Sequence, residues 1–211
     1  MKQIYKNAPP NSFLSWQNLR SDNWSPEYPL LRNPEKRVLL QSLLSEQGWV
    51  CCYCGMRISE TNSHIEHFRP QERYGALQLE YENLFASCVR ETVPPDPLHC
   101  GHGKGSSFDE SLYISPLSDA CEMRFRYTDV GEITGADSKD LAARYMIEIL
   151  NIDLPLRIYR REVIASLDSE FLLSATPEEL RRICDANRTP DEFGRLPDLG
   201  HVLARYIEGL T

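Results

Sequence analysis

The chain has 211 residues, 41% of them hydrophobic, with 23 Lys and Arg against 31 Asp and Glu for a formal charge of −8. That is material for one compact domain, or one with a small appendage; it excludes a membrane span, which needs roughly 18 to 20 consecutive apolar residues, and a protein that coats nucleic acid by charge alone, since phosphate binding is driven by Lys and Arg. The start MKQIYKNAPPNSF lacks the apolar stretch of a secretory signal, so a cytoplasmic location is expected. In chain order, the Pro-, Asn- and Ser-rich first thirty residues carry Trp16 and Trp24 and little intrinsic structure, which makes them the candidate partner-docking segment. Val38, Leu39, Leu40, Leu43 and Leu44 recur at helical spacing, with Asn33 as expected N-cap, Pro34 at the first helical position and Gly48 as the stop. Residues 51–135 hold short strand-like runs at His64 to Phe68, Leu84 to Ser87, Tyr113 to Pro116 and Arg124 to Thr128, separated by Gly, Pro and Asp clusters. After Gly135 helical patterns take over: Asp140 to Asn151, Leu154 to Leu173, a capping box at Thr176-Pro177-Glu178-Glu179, and Leu199 to Leu210. The expected organisation is α+β, with residues 1–50 an N-terminal segment and helix, 51–135 the chemical domain and 136–211 a helical module.

Seven cysteines, five of them within residues 51–100 beside four of the five histidines, read as metal binding before they read as disulfides in a reducing compartment. Cys51-Cys52-Tyr53-Cys54 contains Cys-x-x-Cys, a turn that presents two thiolates to one tetrahedral zinc; a redox dithiol has the same spacing, but no βαβ context accompanies it. Cys88 and Cys100, with eleven residues between them, can complete a four-cysteine site, while Cys121 and Cys184 default to small buried apolar residues. Between the cysteines stands His64-Ile65-Glu66-His67. A lone histidine is more often a core or surface residue, but two that bracket a carboxylate on a strand inside a cysteine frame suit metal chemistry. On an ideal strand His64 and Glu66 share one face and His67 takes the other, so Glu66 can hold a metal while His67 points at what that metal binds. Asn83 can pin the loop after His67 or be an ordinary turn residue. In His99-Cys100-Gly101-His102-Gly103-Lys104, His102 offers another metal nitrogen and Lys104 a point charge for phosphate.

These motifs resemble HNH endonucleases of the ββα-metal type in their zinc-stapled form: Cys51-x-x-Cys54, Glu66-His67, Asn83, Cys88, Cys100, His102 and Lys104 fall in that order. More narrowly, Ile65-Glu66-His67-Phe68-Arg69-Pro70, Glu82-Asn83-Leu84, His99-Cys100-Gly101-His102 and Ile114-Ser115-Pro116-Leu117 resemble PtuB, the HNH subunit of Septu antiphage systems, including those associated with retrons. The resemblance runs from about residue 34 to 161. It implies His67 as general base, Glu66 and His102 as ligands of a catalytic Mg2+ or Mn2+, Asn83 as the residue that orients the His67 loop, and Cys51, Cys54, Cys88 and Cys100 as ligands of structural zinc. His64 has no fixed role in that pattern and is an additional metal-ligand candidate. His102 stands where many HNH sites have Asn. The resemblance further implies a hetero-oligomer with an ATPase subunit, PtuA, acting on DNA; RNA such as tRNA is the alternative substrate, and a non-catalytic zinc-stabilised partner-binding module the alternative function. Arg157, Arg160 and Arg161 form a basic run on a helix, either a nucleic-acid contact or, more commonly, solvated charges.

Overall fold

The computed structural model describes residues 1–89, 93 and 95–210, all but the side chain of Ser169. Helix α1 (Asn11–Gln17) is followed by α2 (Glu35–Glu46), whose Leu39, Leu43 and Leu44 are buried at the spacing the sequence shows. Its cap differs from expectation: Pro34 itself is the N-cap and no side chain closes the turn. Gly48 ends the helix at φ +67°, and a Cβ there would meet Leu196 Cγ at 2.6 Å, so both backbone and packing require glycine. Strands β1 (Ser63–His67) and β2 (Leu84–Cys88) pair antiparallel, with Glu66 opposite Phe85 and His67 opposite Leu84. The short α3 (Cys100–Lys104) packs on β2. β3 (Phe125–Tyr127) and β4 (Ile133–Gly135) form a second two-stranded sheet. The helices α4 (Leu141–Ile149), α5 (Arg157–Ala165), α6 (Ser169–Ser174), α7 (Pro177–Ala186) and α8 (Gly200–Glu208) complete an α+β fold. Among the described residues no helix is long and apolar enough to cross a membrane.

Three local expectations are corrected. Tyr113 to Pro116 is not a strand: Tyr113 and Ile114 are buried, but the segment has no ladder partner. Ile133–Gly135, which the strand-like runs did not include, pairs with β3. The single long helix expected from Leu154 to Leu173 is two, because the Asp168 carboxylate accepts from the Glu170 and Phe171 amides and starts a new helix. The capping box forms as read, with Thr176 and Glu179 satisfying each other's amides.

Residues 1–30 are ordered against the rest of the chain. Met1, Ile4 and Phe13 are buried, Trp16 stacks on Phe13 and meets Trp24 edge-on, and Lys6 donates to Glu46 and to the Leu84 carbonyl at 2.6 Å each. At the other end, α8 packs on β3 and α7. Residues from all three segments therefore share one core, to which the β1–β2 hairpin contributes Ile65, Leu84, Phe85, Ala86 and Cys88.

The basic run on α5 is not one surface. Arg160 is 3% exposed and donates to the carbonyls of Gly131, Ile152 and Asp153 at 2.6 to 2.8 Å, with the Asp153 carboxylate at 3.1 Å. It ties the β3–β4 turn to the α4–α5 connection. Arg160→Met is expected to cost about 3 kcal/mol or more, because it strands buried acceptors, and this is read as a lower urea midpoint with unchanged helix content.

Candidate metal and catalytic site

The Cys51–Cys54 turn, the end of β2 and the start of α3 converge. The sulfurs of Cys51, Cys54, Cys88 and Cys100 all lie within 4.8 Å of one another, all four residues are buried, and none forms a disulfide. Four thiolates at about 2.3 Å from one tetrahedral zinc would stand about 3.8 Å apart; Cys54 and Cys88 are 3.7 Å apart. The donor set and spacing fit a structural metal ion such as zinc. The surroundings fit thiolates too: the Cys88 amide donates to Cys51 Sγ at 3.3 Å, and Ser87 Oγ lies 3.7 Å from the same sulfur while accepting from the Gly101 amide. Burial alone would raise the Cys51 thiol, but hydrogen bonds from Cys100, Cys52, Cys54 and Cys88 outweigh it and hold the group well below its ordinary value. Cys52 lies outside the group of four, and burial, with the neighbouring Cys51 sulfur, pushes its thiol well up.

The alternation of β1 separates the other residues as the strand period requires. On one face, Glu66 meets His64, whose Nε2 is 3.5 Å from Oε2, and the Lys104 ammonium, which sits on Oε1. His64 Nδ1 donates to the Val89 carbonyl at 2.7 Å, and His102 Nε2 donates to that same oxygen at 2.9 Å; the two rings lie 4.4 Å apart. A carbonyl only accepts, so these contacts assign the protons. They leave Nε2 of His64 and Nδ1 of His102 as the nitrogens not committed to that carbonyl, as in metal-binding imidazoles. Val89 holds φ +66°, a strained region for a β-branched residue, and that backbone turn aims its oxygen at both rings.

His64 Nε2 and Glu66 Oε2 face each other at 3.5 Å, and either a proton or a cation lies between them; burial would lower the His64 pKa, but the Glu66 hydrogen bond outweighs it and raises it, so without an ion the proton takes that place. Two bonds of about 2.1 Å to one ion span separations up to about 4.2 Å, so a shared divalent ion fits their 3.5 Å. Gly101 leaves the room: a Cβ there would come within 2.5 Å of Oε2 and 2.7 Å of Nε2. Burial would raise the Glu66 carboxyl, but His64 and Lys104 outweigh it and hold it below the ordinary carboxylate range. The four cysteines remain the only set of three or more metal-ligating side chains that gathers this tightly among the described residues.

His67 takes the opposite face. Its Nε2 donates to the Gln78 carbonyl at 3.1 Å, the Tyr28 ring packs on it edge-on at 4.4 Å, and burial lowers its pKa. Asn83 lies beneath the following loop: its Oδ1 accepts from the Arg69 amide at 2.7 Å, and its Nδ2 donates to the Arg69 and Leu77 carbonyls at 3.1 Å. Lys104 is 3% exposed and bound to Glu66 and to the His67 carbonyl, so its charge is spent inside the protein rather than offered to phosphate.

No protein-family model matches the chain. It is 28% identical over 149 residues to a Vibrio cholerae serotype O1 biovar El Tor protein named "Retron Vc95 putative HNH endonuclease", across 67% of this chain and 69% of that one. It is 25% identical over 183 residues to the Septu protein PtuB of Bacillus thuringiensis, across 83% of this chain and 61% of that one. The chain is similar to HNH-type, PtuB-like proteins. It spans less than two thirds of the length of the Bacillus PtuB.

Around these residues several contributors escaped the sequence reading: Tyr53, Tyr113, Val89, Gln78, Tyr28 and Ser87. Apart from Tyr53, none stands at a spacing that signals chemistry, and Val89 and Gln78 act through their backbone carbonyls, which carry no side-chain signature at all. Only Tyr53 had a signal, its place inside the Cys-x-x-Cys turn.

Proposed function

We propose that the chain is a metal-dependent HNH endonuclease subunit of an antiphage defence complex, cytoplasmic, that hydrolyses phosphodiester bonds of DNA together with an ATPase subunit of the PtuA type. The observation that carries this reading is the end of β1, where Glu66 meets the His64 imidazole, whose other nitrogen shares one carbonyl with His102, while the adjacent His67 is buried and oriented on its own. The order β1, β2, α3 around that point supports a ββα-metal core, and the cysteine cluster supports its zinc staple. The names of the two relatives support the endonuclease and Septu assignments.

In this reading Glu66 and His102, with His64, would hold the catalytic Mg2+ or Mn2+, which would supply charge neutralisation at the scissile phosphate and leaving oxygen. Two imidazoles beside one carboxylate favour Mn2+ over Mg2+. His67 accepts the proton of the attacking water at Nδ1, since its Nε2–H is committed to Gln78. Its lowered pKa keeps the ring neutral, and so able to accept a proton, at neutral pH. Asn83 fixes the Arg69 backbone two residues on, and Lys104 keeps Glu66 ionised. The charge of −8 then assigns most phosphate contacts to the partner subunit.

The test is cleavage of supercoiled plasmid and of tRNA by the purified chain, alone and with its ATPase subunit, in Mg2+, Mn2+ or EDTA. Metal-dependent plasmid cleavage with the partner present is expected. Cleavage that persists in EDTA, or none with the partner and metal both present, would overturn the nuclease reading; cleavage of tRNA alone would change the substrate to RNA.

A further inference from the structure

Between two of the clustered cysteines stands a tyrosine whose hydroxyl reaches away from the sulfurs to the carboxylate on β1. Tyr53 is fully buried, donates to Glu66 Oε1 at 3.1 Å and accepts from the Tyr113 hydroxyl at 3.2 Å. The direction of this relay is forced. An ionised carboxylate only accepts, so the Tyr53 proton points to Glu66 and Tyr113 supplies the donor that satisfies the Tyr53 oxygen. With the Lys104 ammonium on the same atom, Oε1 has two donors, and Oε2 is the oxygen left facing His64 and the space that Gly101 keeps open.

We propose that Tyr53 is a positioning residue that makes Glu66 a one-oxygen ligand, with Oε2 alone turned to the divalent ion, and that it does so from the metal-binding cysteine turn. This rests on the reading of Glu66 as a ligand given above. A carboxylate rotates over a broad, nearly two-fold torsion, so either oxygen, or both, can face a cation unless something selects one. Lys104, whose buried ammonium sits on the same oxygen and on the His67 carbonyl, adds charge there but does not fix the plane of the carboxylate by direction, because an ammonium is a compact charge on a flexible stem. A phenol does, because its hydroxyl sits at the end of a rigid ring. Here the ring is set by a backbone whose flanking residues Cys51 and Cys54 both bind the cysteine cluster. The cysteine site and the carboxylate site are thereby one mechanical unit, coupled through a single hydroxyl.

The experiment is a Mn2+ titration of the full chain, followed by the EPR signal of free Mn2+, for the wild type, Glu66→Gln and Tyr53→Phe, with zinc content and melting temperature measured on the same samples. Tyr53→Phe keeps the ring and removes the hydroxyl. It is expected to weaken Mn2+ binding by about 10- to 100-fold at unchanged zinc content, with Glu66→Gln weaker still. If Tyr53→Phe binds Mn2+ as tightly as the wild type while Glu66→Gln does not, the role of Tyr53 is overturned and Glu66 stands as a ligand. If Glu66→Gln also binds as tightly as the wild type, the ligand reading falls, and this inference with it. Should Tyr53→Phe fail to fold, Tyr113→Phe carries the test: it leaves Tyr53 in place but removes the donor that polarises it, and a smaller loss of Mn2+ affinity is expected. Unchanged affinity in that variant would overturn the proposal.

Discussion

His67→Ala is expected to lower metal-dependent phosphodiester cleavage by about 10²- to 10⁴-fold, with zinc content and fold retained. The size of the effect follows from what the side chain does and what it does not do. His67 ends β1, so its removal breaks no strand hydrogen bond; the backbone carbonyl that Lys104 contacts remains, and the Asn83 clamp on Arg69 is untouched. The loss is the imidazole on the opposite face of β1 from Glu66, whose Nδ1 is held in place by the Gln78 carbonyl on its other nitrogen. The measurement is single-turnover cleavage of plasmid with the ATPase subunit present, beside circular dichroism and zinc analysis of the same preparation. Wild-type rates in the variant would remove His67 from the mechanism and leave Glu66, His64 and His102 to be explained as a metal site of another kind.

Cys54→Ser carries the second large effect, on folding. Structural zinc in small domains is worth about 10 to 16 kcal/mol of apparent binding energy, whereas a whole domain of this size is held by roughly 5 to 15 kcal/mol. Losing one thiolate of four therefore removes a margin comparable to the entire stability. The cluster also joins the turn before β1, the end of β2 and the start of α3, so all three lose their common anchor. The variant is expected to lose stoichiometric zinc and to unfold cooperatively at much lower urea. Cys52→Ser is the matched control: it is equally buried but lies outside the cluster, and it is expected to keep its zinc and lose only the roughly 1 to 3 kcal/mol of burying a hydroxyl. Equal zinc content in Cys54→Ser and Cys52→Ser would show that the four sulfurs are not a metal site.

Features set within a few residues of one another were legible in the chain. The capping box at Thr176 and Glu179 is a three-residue pattern, and so is Cys51-x-x-Cys54; each declares its geometry because the interacting groups are held close by the backbone itself. The face alternation of His64, Glu66 and His67 is likewise a property of any strand. Where local pattern misled, a tertiary partner had replaced a local one. Tyr113 to Pro116 has strand composition, but Tyr113 spends its hydroxyl on Tyr53, sixty residues away, and its ring on Phe68 and Phe108. Arg160 sits in a basic run, yet folding turns it inward onto carbonyls from two other turns.

The sequence by itself determined the donor inventory: four cysteines able to gather at one ion, a carboxylate and histidines alternating on one strand, an asparagine at the next turn, and a net charge of −8. Tertiary structure alone decided how those donors are used. It buried Lys104 against Glu66 instead of leaving it to phosphate, aimed the Val89 oxygen at two imidazoles, and set the Tyr53 hydroxyl on one carboxylate oxygen. The physical reason is that a side chain's type fixes what it can donate or accept, whereas burial and partner depend on which distant segments pack together. Lys104 and Glu66 are 38 residues apart, and only the seating of α3 on β2 brings that ammonium out of water and onto its carboxylate.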